Sequence, residues 1–308
     1  MASALRHYRR VEDLTADELV AVLDLADELK AGRAAGSRDD LLGRTVAMIF
    51  EKPSTRTRVS FQVAVTELGG SPLSLSSAEL QLGRGETIAD TAAVLSRYVH
   101  ALVVRTFGQD RIDELAENAT IPVVNALTDQ EHPCQALADL QTVREQLGGF
   151  DGRTLTYVGD GNNVAHSLLL AGAMVGLSVR VAHPQGYAPD PAIVARANEL
   201  GAGTGAEVTL TTDPIAGVSG ADAVYTDVWA SMGQEAEAEQ RLAVFEPFRV
   251  TSELFAHAAD DAVFLHCLPA HRGEEVTGEV IDGPRSVVWD QAENRMHTQK
   301  ALLVQLLR

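Results

Sequence analysis

An apolar strand that runs directly into an amphipathic helix is predicted for residues 45–68, which read TVAMIFEKPSTRTRVSFQVAVTEL. The strand ends at Phe50, and a turn through Pro53 leads into the helix. Apolar residues spaced four and three apart mark the face of the helix that packs inward, namely Phe61, Val65 and Leu68. A strand joined to a helix in this way is typical of a parallel α/β sheet.

The same alternation continues along the rest of the chain. Further strand-like runs occur at Ala101–Arg105, Pro122–Ala126, Arg153–Val158, Ser178–Ala182, Glu207–Leu210, Ala223–Thr226 and Val263–His266. Short apolar strands separated by helical segments predict an α/β fold with two doubly wound parallel-sheet domains joined by helices. We predict a first domain over residues 1–132, onto which a C-terminal helix at about 295–308 packs back, and a second domain over residues 133–294.

Composition narrows the class of partner. The chain of 308 residues has 43 acidic and 25 basic residues, and a net charge of -18 disfavours nucleic acid and anionic membranes as partners. The apolar runs are strand-sized and too short to cross a bilayer. Two cysteines argue against a disulfide scaffold, and residues 1–15 lack the apolar core of a secretory signal, so we expect a cytoplasmic protein.

A phosphate site is predicted at the start of the helix that follows Pro53. Ser54 lies near the N-cap, and the first turn contains Thr55, Arg56 and Thr57. Free backbone N–H groups and the positive end of the helix dipole favour an anion there. Arginines in a first turn are unfavourable unless an anion binds, and a capped helix with solvated arginines is the alternative. The stretch lacks the G-x-x-x-x-G-K pattern of a Walker loop.

Residues 52–58, KPSTRTR, resemble the phosphate loop of the aspartate and ornithine carbamoyltransferases. Further motifs follow in the family's order along nearly the whole chain, so the resemblance implies the family's fold and activity. It implies a carbamoyl phosphate site made of Ser54, Thr55, Arg56, Thr57, Gln81, Arg105, His132, Gln135, Cys267, Leu268 and Arg295. Within this set, Arg105, His132 and Cys267 are the implied catalytic residues, Arg295 precedes the last helix, and Gln81 lies in a loop lent to a neighbouring subunit.

The acceptor site is implied by two later motifs. Residues 227–235, DVWASMGQE, resemble the family loop that binds ornithine, with Asp227, Ser231 and Met232 as contacts. Asn163, preferred to Asn162, is the implied partner of the substrate's α-carboxylate. A dinucleotide site in GDGNN at 159–163 is disfavoured, because no third glycine follows.

Cys267 lies in the HCLP motif at 266–269, which the resemblance places beside the reacting amine. Carbamoyl phosphate is already activated, so direct attack by an amine suffices and Cys267 is interpreted as an orienting residue.

The implied reaction transfers the carbamoyl group of carbamoyl phosphate to the δ-amine of ornithine, giving citrulline and phosphate, in arginine biosynthesis. Fixed donors such as Arg105 and His132 stabilise charge on the carbonyl oxygen during such an attack. No metal or organic cofactor is expected, and the resemblance implies a homotrimer or a multiple of trimers. Rival hypotheses are a transferase for putrescine, N-acetylated ornithine or aspartate, and a catalytically silent binding or regulatory homologue. The aspartate transferases of the family need positive side chains in the region of residues 227–240 to bind the side-chain carboxylate of aspartate. Aspartate is disfavoured as the acceptor because these residues contain no basic side chain.

Overall fold

The computed structural model describes residues 7–76, 85–230 and 238–308, the side chains of residues 238–240 excepted. The chain divides into two compact units, residues 1–137 with 294–308, and residues 138–293. Among the described residues, each unit contains one parallel sheet, with four strands in the first and five in the second. The predicted α/β class with two parallel-sheet domains is therefore confirmed.

The first unit is built on a sheet with strand order β2-β1-β3-β4. Its strands are β1 (Thr45–Phe50), β2 (Ser71–Ser76), β3 (Ala101–Arg105) and β4 (Val123–Leu127). The helices that precede and connect them are α1 (Ala16–Ala31), α2 (Thr55–Glu67), α3 (Ile88–Leu95) and α4 (Gln109–Asn118). Helix α1 begins at a capping box, in which Thr15 and Glu18 each accept a hydrogen bond from the other's backbone N–H.

The second unit has strand order β7-β6-β5-β8-β9. Its strands are β5 (Thr154–Val158), β6 (Ser178–Ala182), β7 (Val208–Thr211), β8 (Ala223–Thr226) and β9 (Val263–His266). The α-helices that lie wholly within the described part of this unit are α6 (Asn163–Val175), α7 (Pro191–Thr204), α8 (Pro214–Val218), α9 (Ala238–Phe245), α10 (Ser252–Phe255) and α11 (Gly278–Ile281). The unit boundaries fall inside two further helices, α5 (Pro133–Leu147) and α12 (Val288–Leu307).

Both sheets reverse their winding direction, which determines where ligands bind. The order reverses between β1 and β3 in the first sheet and between β5 and β8 in the second. In open α/β sheets, ligands bind outside the carboxyl ends of the strands at such a reversal. Ser54–Thr57 follow β1, Arg105 ends β3, and Asn163, Asp227 and Cys267 follow β5, β8 and β9, so these candidate residues lie at the carboxyl edge of their own sheet.

Apolar side chains bury each sheet. Ile49, Leu102 and Val104 are buried in the core of the first unit, and Val158 and Phe264 are buried in the core of the second. Strands that are buried on both faces appear in the sequence as continuous apolar runs, which is why β1, β3 and β8 are readily predicted. No helix among the described residues is both long enough and apolar enough to span a membrane.

Strand β2 and the start of the last helix are two places at which the structure differs from the sequence-based expectation. Strand β2 was not predicted, because the sequence SPLSLS mixes polar and apolar residues at a partly exposed sheet edge. Helix α12 begins at Val288, and Arg295 therefore lies inside the last helix. The prediction that Arg295 precedes this helix is wrong, since the polar residues between Trp289 and Asn294 conceal the start of the helix from a search for apolar periodicity.

Candidate active site

The amino-terminal end of α2 follows directly after β1. Ser54 caps the helix, and its side-chain oxygen accepts a hydrogen bond from the backbone N–H of Thr57 at 3.3 Å. The first turn contains no acidic residue, although negative charge would stabilise this end of a helix. The guanidinium of Arg58 lies over the ring of Phe50, 5.1 Å from the ring centroid. Arg56 lies in the first turn of α2, and its side chain is half-buried. The turn is a positively charged helix end suited to an anion.

A second arginine contacts this turn from α12. The Nη2 atom of Arg295 donates a hydrogen bond to Oγ1 of Thr57 at 2.6 Å, and both side chains are buried. Two hydrogen bonds therefore fix the position of Thr57, one from its backbone N–H to Ser54 and one from Arg295 to its hydroxyl. The pairing joins residues 238 positions apart, so no local sequence pattern reveals it.

Arg105 and His132 are both buried at the carboxyl edge of the first sheet. Arg105 ends β3, and His132 directly precedes α5, whose first turn contains the buried Gln135. Burial lowers the pKa of His132 well below its usual value, and the positive charges of Arg295 and Arg105 lower the pKa further. His132 is consequently a neutral imidazole at neutral pH, which is the form that donates a hydrogen bond without adding charge.

Cys134 lies in the same turn but faces the interior. Its thiol donates a hydrogen bond to the carbonyl oxygen of Asn125 at 3.3 Å. Burial raises the pKa of the Cys134 thiol to about 12, and the charge of Arg295 only partly offsets this effect. Cys134 therefore remains a protonated, packed side chain.

At the second sheet, the turn between β5 and α6 presents two asparagines. Asn162 is the N-cap of α6, because its Oδ1 accepts hydrogen bonds from the backbone N–H groups of Val164 and Ala165 at 2.9 and 3.2 Å. Its Nδ2 donates to Oδ2 of Asp227 at 3.1 Å. The amide of Asn162 is thus occupied by the cap and by Asp227, and the adjacent Asn163 is the first residue of the helix.

Asp227 is a buried carboxylate just beyond β8. Its Oδ1 accepts hydrogen bonds from the thiol of Cys267 at 3.0 Å and from the backbone N–H of Val228 at 2.8 Å. Because Asn162 donates to Oδ2, both carboxylate oxygens have donors, and together these donors fix the orientation of the group. A thiol that donates to a carboxylate retains its proton, which fits an orienting role for Cys267.

The backbone after Cys267 has an unusual conformation. Leu268 has φ 59°, a left-handed conformation that non-glycine residues adopt at an energetic cost. Its N–H donates to Nδ1 of His266 at 2.8 Å, and Nε2 of His266 lies 3.0 Å from Oε1 of Glu275. Glu275 also accepts the N–H of His271 at 2.7 Å. Because Nδ1 accepts, Nε2 bears the proton and donates a hydrogen bond to Oε1 of Glu275, and this buried pair supports the strained loop.

The fold also brings together metal-ligating atom types, which sequence spacing does not reveal. One ligand atom from each of Asp227, His266 and Cys267 lies within 4.8 Å of the others. These side chains are already bonded, since the thiol donates to the carboxylate and both ring nitrogens of His266 have protein partners. The donor set is consequently engaged in positioning the loop.

Three predicted site residues lie outside the described residues. Gln81 falls between residues 76 and 85, and Ser231 and Met232 fall between residues 230 and 238. Of the residues predicted for the site, the structure places Ser54–Thr57, Arg105, His132, Gln135 and Arg295 in the first unit and Asn163, Asp227, Cys267 and Leu268 in the second. The prediction had not included His266, Glu275 or the capping role of Asn162.

A cationic helix end on one parallel sheet and an oriented carboxylate and thiol on another define a two-domain α/β enzyme of the group-transfer class. Two family models match the chain. The model described as "Aspartate/ornithine carbamoyltransferase, carbamoyl-P binding domain" covers residues 6–145, and the one described as "Aspartate/ornithine carbamoyltransferase, Asp/Orn binding domain" covers residues 151–306. The chain belongs to the aspartate/ornithine carbamoyltransferase family.

Individual relatives agree with this assignment. The chain is 60% identical over 304 residues to an ornithine carbamoyltransferase of Parafrankia sp. (strain EAN1pec), covering 98% of this chain and 96% of the relative. It is 55% identical over 294 residues to an anabolic ornithine carbamoyltransferase of Pyrococcus furiosus, covering 95% and 93%. A solved structure of ornithine carbamoyltransferase from Pyrococcus furiosus superposes with a TM-score of 0.96 at 52% identity, covering 100% of this chain and 98% of that one.

Proposed function

We propose that this chain is an ornithine carbamoyltransferase, which transfers the carbamoyl group of carbamoyl phosphate to the δ-amine of L-ornithine and forms citrulline and phosphate. The observation that carries the proposal is the oriented, buried carboxylate of Asp227 at the edge of the second sheet. A carboxylate in this place suits the α-ammonium of an amino-acid acceptor. The names of the relatives at 60% and 55% identity support the same acceptor.

Carbamoyl phosphate is the proposed ligand of the first sheet. The cationic helix end holds the phosphate, for which the proposed residues are Ser54, Thr55, Arg56 and Thr57. The proposed contacts to the remainder of the molecule are Gln81, Arg105, His132, Gln135, Cys267, Leu268 and Arg295. The support for the phosphate contact is the capped, acid-free first turn, and the support for a role of His132 at the carbonyl oxygen is its neutral, buried imidazole.

Ornithine is the proposed ligand of the second sheet. Asn163 is the proposed partner of the α-carboxylate, because the amide of Asn162 is committed to the helix cap and to Asp227. Asp227 and Ser231 would bind the α-ammonium, and Met232 would close over the aliphatic chain. The roles of Ser231 and Met232 rest on the resemblance of the DVWASMGQE loop at 227–235.

The proposed mechanism is direct attack by the neutral δ-amine on the carbonyl carbon. A C–N bond forms, the carbonyl oxygen gains charge that Arg105 and His132 stabilise, and the C–O bond to phosphate then breaks with its electrons leaving on phosphate. The nitrogen loses one proton to the departing phosphate or to solvent. Cys267 keeps its proton and orients the site, so no covalent enzyme intermediate forms.

The requirement for a neutral amine predicts the pH dependence of the reaction. A free amine of this kind has a pKa near 10, so the reactive fraction increases about tenfold for each pH unit below that value. At subsaturating ornithine, kcat/KM should therefore increase from neutral pH into the alkaline range. Initial rates of citrulline formation in constant-ionic-strength buffers measure it, and a flat profile would contradict attack by the free amine.

An amine panel tests the identity of the acceptor. Ornithine, putrescine, N-acetylated ornithine and aspartate are compared as acceptors at equal concentration with carbamoyl phosphate fixed. We expect ornithine to have the highest kcat/KM, because putrescine lacks the α-carboxylate and N-acetylated ornithine lacks the α-ammonium that Asp227 requires. Preference for another amine would replace the proposed substrate, and no turnover with any amine would favour a silent binding or regulatory homologue.

Domain roles and cellular context form part of the proposal. We assign carbamoyl phosphate binding to residues 1–132 with the C-terminal helix at about 295–308, and ornithine binding to residues 133–294. The compact units and the two family models support a division of this kind. Anabolic relatives in Pyrococcus furiosus and Campylobacter jejuni support a role in arginine biosynthesis. A sequence with two cysteines, which is not that of a disulfide scaffold, supports a cytoplasmic location.

A homotrimer, or a multiple of trimers, is the proposed assembly. The support is the resemblance of the loop around Gln81, which the family lends to a neighbouring subunit. Two inactive variants, Gln81→Ala and Arg56→Ala, should then regain part of the activity after subunit exchange, because some mixed sites contain both residues intact. Light scattering should show a closed cyclic oligomer. A fully active monomer, or exchange without recovery, would contradict this assembly.

A further inference from the structure

The N-terminal segment of the described chain is fastened to the edge of the first sheet. We call residues Tyr8–Asp13 the N-terminal clamp. The backbone N–H of Tyr8 donates to the carbonyl oxygen of Val123 at 2.8 Å, and the N–H of Asn125 donates to the carbonyl oxygen of Tyr8 at 2.8 Å. The carbonyl oxygen of Arg9 accepts the side-chain amide of Asn125 at 2.8 Å. The clamp thus lies alongside β4, immediately before the turn that leads to His132.

That turn is closed by its own hydrogen bonds. The N–H of Thr128 donates to the carbonyl oxygen of Glu131 at 2.8 Å, and the N–H of Glu131 donates back to Oγ1 of Thr128 at 3.2 Å. The N–H of Asp129 donates to the carbonyl oxygen of Phe107 at 2.8 Å. The turn is therefore a compact piece of backbone, and a displacement at Glu131 is transmitted directly to the next residue, His132.

Two hydrogen bonds join the clamp to the residues on either side of His132. The N–H of Val11 donates to Oε2 of Glu131 at 2.9 Å, and the hydroxyl of Tyr8 donates to the carbonyl oxygen of Pro133 at 3.3 Å. Because Glu131 and Pro133 are the residues before and after His132, these two hydrogen bonds restrain the backbone of His132 from both sides. The pairs are 120 and 125 positions apart, so only the tertiary fold brings them together.

The Glu131 carboxyl group is buried among several ionisable neighbours. Burial raises its pKa to about 7, the N–H of Val11 and the charge of Arg10 oppose this shift, and the charges of Glu12 and Asp13 add to it. Tyr8 of the clamp also lies near this carboxyl group, and burial raises the pKa of the Tyr8 hydroxyl so that it is neutral. Glu131 is thus an ionisable group that changes charge near neutral pH, one residue before His132.

We propose that Glu131 is a positioning residue for His132, because its carboxyl group fastens the N-terminal clamp to the turn that presents the imidazole. The inference rests on the proposed function, in which His132 contacts the carbamoyl oxygen. Glu131 itself touches no substrate and acts through the backbone of its neighbour. A misplaced catalytic group of this kind reduces turnover more than it reduces substrate affinity.

Val11→Pro is the central test, because proline lacks the N–H that donates to Glu131. Val11 is the first residue of a short 3₁₀ helix, where proline is tolerated, and Arg10 has φ -137° and ψ 159°, a conformation suited to a residue before proline. Val11→Ala is the matched control, since it loses side-chain volume but keeps the N–H. We expect kcat to decrease roughly tenfold in Val11→Pro and at most about threefold in Val11→Ala, with the KM for ornithine little changed. Equal kcat values in the two variants would overturn the proposal.

Glu131→Gln provides a second test that does not depend on Val11→Pro folding. Glutamine still accepts the N–H of Val11 but cannot ionise. A buried carboxylate is unfavourable, so ionisation should loosen the clamp in the wild type and not in the variant. The ratio of wild-type kcat to Glu131→Gln kcat should therefore decrease as the pH rises through about 7. A ratio that stays constant from about pH 5.5 to 8.5 would overturn the proposal.

Hydrogen exchange separates failure of the clamp from failure of the proposed function. Amide exchange of residues 128–137, measured by mass spectrometry, should be faster in Val11→Pro than in Val11→Ala and requires no substrate. If the wild type forms no citrulline, the proposed function is refuted, and faster exchange still supports the clamp. If the wild type is active and exchange is the same in both variants, the clamp is refuted and the function remains.

Discussion

Arg241, in helix α9 of the second unit, is a buried cation with both charged and aromatic partners, and its removal should be costly. Its Nη1 donates to Oδ2 of Asp160 at 2.7 Å and to the carbonyl oxygen of Trp229 at 2.9 Å. The guanidinium carbon lies 5.1 Å from the ring centroid of Tyr187 and 5.8 Å from that of Phe245. We consider Arg241→Met, which keeps much of the side-chain volume and removes the charge.

The magnitude follows from burial. The side chains of Arg241 and Asp160 are 8% and 15% exposed, so water compensates little for the loss of either charge. Removal of one partner of a buried ion pair costs about 3–5 kcal/mol, because the remaining charge is left without a partner. The two ring contacts belong to the same guanidinium, and cation–π interactions of this kind contribute about 0.5–2 kcal/mol. We expect Arg241→Met to lower the free energy of unfolding by about 4 kcal/mol.

Equilibrium urea unfolding at one protein concentration measures the effect. The set comprises Arg241→Met, Asp160→Asn, the double variant, and Arg196→Ala as a surface control. Arg196 pairs with Glu199 at 2.8 Å, but these side chains are 47% and 67% exposed, so its loss should cost less than about 1 kcal/mol. The double variant should be less destabilised than the sum of the single variants by about 2–3 kcal/mol, because it leaves no unpaired charge.

The pH dependence of Arg241→Met provides an independent check. Burial raises the pKa of Asp160, and Arg241 is the largest influence that lowers it. Without Arg241 the folded state holds the Asp160 proton to a higher pH than the unfolded state does, so stability decreases as the pH rises through the acidic range. Arg241→Met should accordingly approach wild-type stability at low pH. A loss below about 1 kcal/mol at neutral pH, or additive single variants, would refute the reasoning.

Other predictions concern the proposed carbamoyl phosphate and ornithine sites and the N-terminal clamp. Arg56→Ala should weaken carbamoyl phosphate binding by about 2–4 kcal/mol in calorimetry, whereas Arg58→Ala, whose guanidinium lies on Phe50, should weaken it much less; equal losses would remove the assignment of Arg56. Asp227→Asn should raise the KM for ornithine far more than that for carbamoyl phosphate, and equal effects would make Asp227 structural. The free energy of unfolding of the wild type should decrease by about 2–4 kcal/mol between pH 4.5 and about 7, because in this range Glu131 holds a proton in the folded state alone. Glu131→Gln should abolish this decrease, and parallel stability–pH curves for the two proteins would contradict the prediction.

Local sequence signals predict the geometry of the turn between β1 and α2 well. The N-cap at Ser54, the turn at Pro53 and the apolar face of α2 depend on residues within one strand-turn-helix unit. Because β1 and β3 are buried on both faces, their apolar runs indicate where the strands end and therefore where Arg105 meets the sheet edge. Fold class follows from the same alternation.

Pairings that depend on tertiary structure were not predicted. Glu131 meets Val11 across 120 positions, and Arg295 meets Thr57 across 238. Neither partner has a pattern that identifies the other, since a glutamate in a turn is ordinarily a solvated side chain. The strand β2 was missed for a different reason, because its polar residues occupy a sheet edge at which burial does not impose an apolar pattern.

The residues around Asp227 show why the order of strands in the sheet, and not the spacing of motifs in the sequence, brings the proposed ornithine site together. Asn162, Asp227 and Cys267 follow three strands that are separated in sequence, β5, β8 and β9, but these strands are neighbours in the sheet order. Parallel strands end at one edge, so their following residues converge, and the bonds from Asn162 and Cys267 to Asp227 are the consequence. The proposed phosphate binding by one helical turn needs only contiguous sequence, whereas the proposed recognition of a charged amine at this edge needs the strand order. A substitution that displaced β8 relative to β5 and β9 should therefore impair ornithine binding without changing any residue that is proposed to contact ornithine.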